Sequence, residues 1–321
     1  MSLMAYRVAV AEYPTNMQIQ RISDAIIKVR QEISKALRSR VAGPNAEERM
    51  IQILATEGRR WFADDRPIRL VHRDASMFIG GLRALLLQSL HPLAMAGVAQ
   101  HSDFKNDPWG RLQRTADFLV TTTFGSDAEA QRVVDRVESV HRHVHGLASD
   151  GRPYSASDPH LLRWVHLVEV DSFLSVYQRY GSYPLDQTGR DEYVSDMAVI
   201  ARALNIPAPP QSEQALADQI RSYRHELRST PESRDTLRYL ILQPPLPLLA
   251  RAAYSVLVAA TVATLPRWSR PMLGFPYLPI TEAIALRPLG GGITRVFRWA
   301  TSLNSPYARD AEERARSTKA S

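Results

Sequence analysis

Three Asp/Thr-Pro pairs, Asp107-Pro108, Asp158-Pro159 and Thr230-Pro231, set a capping side chain directly before a first-turn proline, and alternating strand patterns are almost absent. These local signals confine the chain to helices. Residues 21–39 carry Ile22, Ile26, Val29, Ile33 and Leu37 at spacings of three and four, the stripe of an amphipathic helix. Ser126-Asp127-Ala128-Glu129 fits a capping box, with Val133, Val137, Val140 and Val144 as the stripe behind it and Gly146 as the stop. The expectation is an all-α, multi-helix single domain over residues 1–304, with a Pro-rich apolar extension packed on it from about Pro244. A polar tail follows at 305–321. With 45% apolar residues in 321, the chain can build a large core.

Two apolar runs test whether the chain crosses a membrane. Residues 78–99 have the length of a span but contain Arg83, Gln88, His91 and Pro92, so a kinked, buried core helix is expected. Ala252–Leu265 is uncharged for 14 residues, about 21 Å of helix against the ~30 Å of a bilayer core. It reaches an interface without crossing. Trp268, Phe275 and Tyr277, with Arg267 and Arg270, then suggest docking on lipid, and burial against the domain is the other way to use such a helix. The N-terminal residues show no secretory signal, so a cytoplasmic location is expected, and Met4 is a candidate natural start.

Chemistry is narrowed mainly by what is missing. No cysteine occurs, which excludes disulfides, thiolate metal sites and cysteine nucleophiles. The net charge of +7 suits a polyanion or an anionic membrane. No nucleic-acid recognition module is present, however, and nucleic acid is not an expected partner. Gly290-Gly291-Gly292 lacks the context of a nucleotide-binding loop and is expected to be an ordinary loop. His225-Glu226 begins like a zinc-protease motif, but Ser229 stands where the second histidine belongs.

The informative pair of helices follows Asp107 and Ser126. At 100° per residue His141 lies with Val137, Val140 and Val144 on the apolar stripe, and His143 points away. A buried neutral imidazole is a good iron or zinc ligand; it is equally a hydrogen-bonded core residue. Glu138-x-x-His141 has the spacing of a di-iron carboxylate helix but no second copy, and His141 with His145 has the spacing of a two-histidine metal clamp. On the preceding helix Arg111, Arg114 and Thr115 border the stripe of Trp109, Leu112, Ala116 and Leu119. There they can bind a carboxylate or propionate, or stand solvated.

The runs LLLQSLHPLAMAGVAQHSDF, DPWGRLQRTADFLVTTTFG, VHRHVHG, GRPYSASDPHLLRWVHLVEVDSFL and ARALNIPAPP together resemble, in order, the bacterial branch of the MpaB-like oxygenases, which includes the rubber-cleaving latex clearing proteins. The resemblance covers roughly residues 60–300. It implies an all-α fold with a globin-like core, b-type haem held through iron by His141, and distal-side roles for Arg111, Arg114 and Thr115. Arg114 stands where the family has a lysine able to cap the iron, and a guanidinium cannot ligate. The family's catalytic glutamate is not placed, and rubber is not the expected substrate. His91 and His101 lie in the first run without an implied role, and core structure is expected of them. Histidine ligation makes oxygen addition to an activated carbon or double bond, dioxygenase fashion, the expected reaction, with molecular oxygen and an apolar terpenoid- or lipid-like molecule as substrates. Arg111 and Thr115 would steady developing negative charge. The rival expectation is a non-catalytic lipid- or prenyl-binding protein, or a peripheral membrane protein, on the same fold.

Overall fold

The structure, a computed structural model, describes residues 45–102, 106–246 and 248–302, together with Asp24, Lys28 and Gly43. Of the helix expected over 21–39 only Asp24 and Lys28 are described, both helical, and the 305–321 tail lies outside the described residues. In chain order the helices are α1 (Ala46–Ala55), α2 (Pro67–His72), α3 (Met77–Gln88), α4 (Pro92–His101), α5 (Pro108–Phe124) and α6 (Asp127–His141). A short antiparallel hairpin, β1 (His145–Leu147) and β2 (Pro153–Ser155), follows, with Gly146 opposite Tyr154. Then come α7 (Pro159–Tyr180), α8 (Gln187–Ala203), α9 (Glu213–Tyr223), α10 (Pro231–Leu242), α11 (Leu248–Thr264), α12 (Arg270–Leu273) and α13 (Pro279–Thr281). A π-helical turn (Glu282–Leu286) joins α13 to α14 (Arg287–Ser302). The all-α class is as expected.

The three proline-marked starts are helix starts for the expected reason. Asp107 accepts from Gly110 N (2.9 Å), Asp158 from His160 N (2.8 Å) and Thr230 from Ser233 N (3.1 Å), each satisfying an otherwise orphaned amide. Ser126 and Glu129 form the reciprocal capping box. The apolar run 78–99 breaks between Gln88 and Pro92, and α3 and α4 meet at 106°. No single described helix is long and apolar enough to cross a membrane.

Helix α7 is the spine, and α3 lies closest to it. Gly80 permits this approach, since a Cβ there would sit 2.8 Å from the Phe173 ring. Arg83, the charge inside the apolar run, is buried and fully used: it pairs with Asp171 (2.7 Å), donates to Ser172 Oγ (2.8 Å) and donates to the Thr264 carbonyl (3.1 Å). One side chain therefore ties α3, α7 and α11 together. The segment from Leu248 onward packs back on α3 through Leu257 and Ala260, while Phe297 of α14 joins the same cluster.

Three local expectations are corrected. Gly290-Gly291-Gly292 lies inside α14, not in a loop, because Gly290 lets that helix approach α7 and α11 so closely that a Cβ would stand 2.7 Å from Tyr180. Helix α6 ends at His141, before Val144 and Gly146, and its buried face runs through Ala130, Val134 and His141 while Val140 is 56% exposed. Arg270, expected to meet lipid headgroups, is 2% exposed and salt-bridged to Glu282.

Candidate functional site

Helices α5 and α6 pack together across the turn Gly125–Ser126, so Arg111, near the start of α5, and His141, the last residue of α6, lie at the same end of one hairpin. His141 is half-buried, and burial pushes its imidazole below the usual histidine range, against the opposing field of Glu138. The neutral ring makes no hydrogen bond to a described residue, which leaves its nitrogen lone pair free. His143 is exposed and bonded to the Ser139 carbonyl (2.8 Å). His145 lies in β1, where its own carbonyl faces His101 Nε2 (3.2 Å), so it shares no helix face with His141 and the helical spacing of a two-histidine clamp is not realised.

Arg111 is half-buried, and its one hydrogen bond among the described residues is to the hydroxyl of Ser102 (3.0 Å). Burial, and then the neighbouring Arg114 charge, push the guanidinium below its ordinary range. A cation so placed, with no described carboxylate, has donors free to receive an anionic group. Arg114 is exposed and pairs with the capping Asp107 (3.2 Å); Thr115 is exposed and donates to the Arg111 carbonyl (3.1 Å). The structure thus brings Arg111 and His141 to one end of the hairpin, while Arg114 and Thr115 face outward among the described residues.

Behind this hairpin lies an interior row of polar side chains that sequence reasoning missed. His166, Glu169 and Phe173 fall within about 60° of one face of α7. Next to Phe173, with ring centroids 5.5 Å apart, stands His72, bonded through Nδ1 to Thr123 Oγ1 (2.8 Å) and through Nε2 to the Tyr193 hydroxyl (3.3 Å). Burial lowers His72 to about 3 and His166 to about 4, and raises Glu169 to about 7. His166 Nε2 and Thr121 Oγ1 are buried without any hydrogen-bond partner among the described residues, and Glu169 beside them on α7 is half-buried. Native interiors rarely leave such groups without a partner, which ordered water or a ligand can supply. The signal available in the sequence was the i, i+3 pair His166/Glu169 within the otherwise apolar stretch Trp164–Val170.

The ends of the elements tie the row to the hairpin. Asn205 Nδ2, just beyond α8, donates to Glu138 Oε1 (2.5 Å), and Arg163, one turn before His166, donates to the Pro207 carbonyl (2.6 Å). The end of α6, the start of α7 and the end of α8 therefore converge. A third polar group, His91 with His160 and Glu226, stands apart at the start of α4.

The family described as "ER-bound oxygenase mpaB/B'/Rubber oxygenase, catalytic domain" matches residues 68–300, which takes in α5–α7 and nearly all of the described helices. The chain belongs to that family. Two mycobacterial relatives, the uncharacterized protein Rv2237 of Mycobacterium tuberculosis and the uncharacterized protein Mb2261 of Mycobacterium bovis, are each 28% identical over 101 residues, 31% of this chain. The match spans 39% of the length of either relative. No solved structure matches.

Proposed function

We propose that this member of the oxygenase family binds a b-type haem through His141 and adds molecular oxygen to an apolar, terpenoid- or lipid-like substrate. The observation that carries the proposal is a set of unsatisfied groups: a neutral, partly buried His141, an Arg111 with no described carboxylate, and the orphaned His166 Nε2 and Thr121 Oγ1. These residues suit the group. His141 offers a lone pair, Arg111 a cation for a propionate, and the apolar walls of α7 and α8 a dry interior. Histidine-ligated haem, when bound, supplies oxygen binding and activation. Arg111 would anchor or orient an anionic group, with Arg114 and Thr115 at the rim as its outer partners. Glu169, raised to about 7, is able to hold or release a proton at its carboxylate near neutral pH.

A peripheral contact with anionic membrane belongs to the same proposal and rests on the C-terminal segment. Tyr277, Leu278, Ile280, Ile284 and Leu289 are exposed, the two isoleucines at 73% and 74%. The exposed charges there are Arg267, Arg287 and Arg295, and the single acid between Arg267 and Ser302, Glu282, is buried against Arg270. An apolar segment whose own exposed charges are all positive suits an anionic lipid face. The protein is proposed to work in the cytoplasm, as one domain over residues 1–304, taking its substrate from that face.

The test is the visible spectrum of the full chain expressed with a haem precursor. One Soret-absorbing haem per chain, kept in His145→Ala and lost in His141→Ala, is the expected result. A colourless protein in every preparation would favour a non-catalytic lipid or prenyl binder.

A further inference from the structure

The side chains of His91, His160 and Glu226 come from three separate parts of the chain and point at one another. His91 precedes Pro92 at the start of α4, His160 follows the Asp158-Pro159 cap of α7, and Glu226 lies one turn beyond Tyr223 at the end of α9. His91 Nε2 is 3.3 Å and His160 Nε2 2.9 Å from the same oxygen, Glu226 Oε2. One donor atom from each residue lies within 4.8 Å of the other two.

We infer that His91, His160 and Glu226 form a binding site for a divalent transition-metal ion of the zinc class, separate from the His141 site. Donors bound to one tetrahedral ion at about 2.0–2.1 Å stand roughly 3.3 Å apart, so the two histidine-to-carboxylate separations already have the required bite. Two imidazoles and one carboxylate are a donor set of borderline softness, suited to zinc or ferrous iron rather than calcium or magnesium. His91 is 2% exposed, while His160 and Glu226 are partly open. The ion would therefore be gripped from below and completed from the solvent side. His225 Nε2, 3.7 Å from Glu226 Oε1, stands at that opening as a further donor.

The surroundings hold the donors in place. Tyr223 stacks on the His160 ring (4.5 Å, 24°), and its hydroxyl donates to the His160 carbonyl (2.9 Å). Trp164, fully buried one turn along α7, lies 6.3 Å from His91. One adjustment is needed. His91 Nδ1 accepts a long bond from Ala94 N (3.5 Å), and a metal on Nε2 would move the ring proton to Nδ1 and give that bond up. At this length it contributes little. The site is remote from the proposed haem, because α4 runs about 15 Å from His91 to the Ser102 that holds Arg111.

Calorimetric titration of Zn2+ into the chelator-treated full chain tests the inference without reference to haem or activity. One ion per chain is expected, with a thermal midpoint that rises on loading. Affinity should fall at least about tenfold in His160→Ala and in Glu226→Gln, and stay unchanged in His143→Ala and His145→Ala. These variants spare the buried His91, and circular dichroism checks that each is folded. Absence of saturable zinc binding by the folded wild-type chain would overturn the site, as would binding that survives both variants or is lost in the His143 or His145 controls.

Discussion

Arg83, buried, and Arg111, half-buried, are both guanidiniums drawn from water, and they are treated oppositely. Arg83 bonds to a carboxylate, a hydroxyl and a carbonyl from two other helices, whereas Arg111 has one hydroxyl and a repelling neighbour among the described residues. The same contrast separates Arg270 and Arg298, paired with Glu282 and Asp74, from the unpartnered His166 and Thr121. The arginines that join helices are saturated, while His166 Nε2 and Thr121 Oγ1 are left open, as are Tyr180 Oη, Gln219 Oε1 and Thr236 Oγ1 elsewhere in the fold. Breaking a saturated pair leaves a buried charge uncompensated, whereas an open buried group carries a desolvation cost that water or a ligand can offset.

The largest expected effect breaks the saturated side of the contrast. Arg83→Ala leaves Asp171 without its cation and should cost about 3–5 kcal/mol in denaturant unfolding. Arg270→Ala should behave similarly. A loss under 1 kcal/mol in both would show that these pairs do not hold the helices together.

The C-terminal segment offers the next contrast, between Arg270 inside and Arg267 and Arg287 outside. Changing Arg267 and Arg287 to Glu should leave the fold intact yet weaken co-sedimentation with phosphatidylserine vesicles by about 2 kcal/mol or more, at roughly 1 kcal/mol per basic residue near the surface. Wild-type binding should itself weaken with salt. No wild-type binding at low salt rejects the membrane contact.

Glu169 sharpens the open side through pH. Its folded carboxyl is raised from 4.5 to about 7, so the folded state keeps a proton that the unfolded state has lost, and stability falls as pH climbs through that window. His72 and His166 are lowered from 6.5 to about 3 and about 4, so they contribute a rise in stability from roughly pH 4 to 6.5. In the wild type the two trends oppose each other. Glu169→Gln should expose the rise alone and be more stable than wild type at pH 8 by about 1–2 kcal/mol. Superimposable pH profiles would mean that the carboxyl is solvated.

Arg111→Ala is expected to be the mildest change in stability, within about 0.5 kcal/mol, while lowering oxygen-dependent turnover. Lost stability with turnover per folded molecule intact would place Arg111 among the saturated, structural arginines.

Much of this frame was legible in the chain because it is local. Caps such as Asp107-Pro108 and Ser126/Glu129 act within four residues, so they fix helix starts before any tertiary contact forms. Gly290-Gly291-Gly292 reads locally as a loop, because its helix packs by close approach to Tyr180, which no local propensity encodes. The end of α6 is not legible locally because the valine spacing continues past His141 to Val144, just before the β-hairpin. Arg111 and His141 were visible as polar residues beside apolar stripes. His72 and Tyr193 were not, being 121 positions apart, and the partners of His91 lie as far as 135 positions away. Spacing rules see one helix at a time; these clusters exist only once several helices have packed.

The most direct test of His141 as the haem ligand is haem titration of the His141→Gly chain with and without free imidazole. The wild-type chain should bind one haem with a Soret band. The glycine variant should lose that spectrum while keeping its helical circular dichroism, and imidazole entering the vacated space should restore it. A glycine variant that binds haem with the wild-type spectrum in the absence of imidazole would contradict the assignment outright.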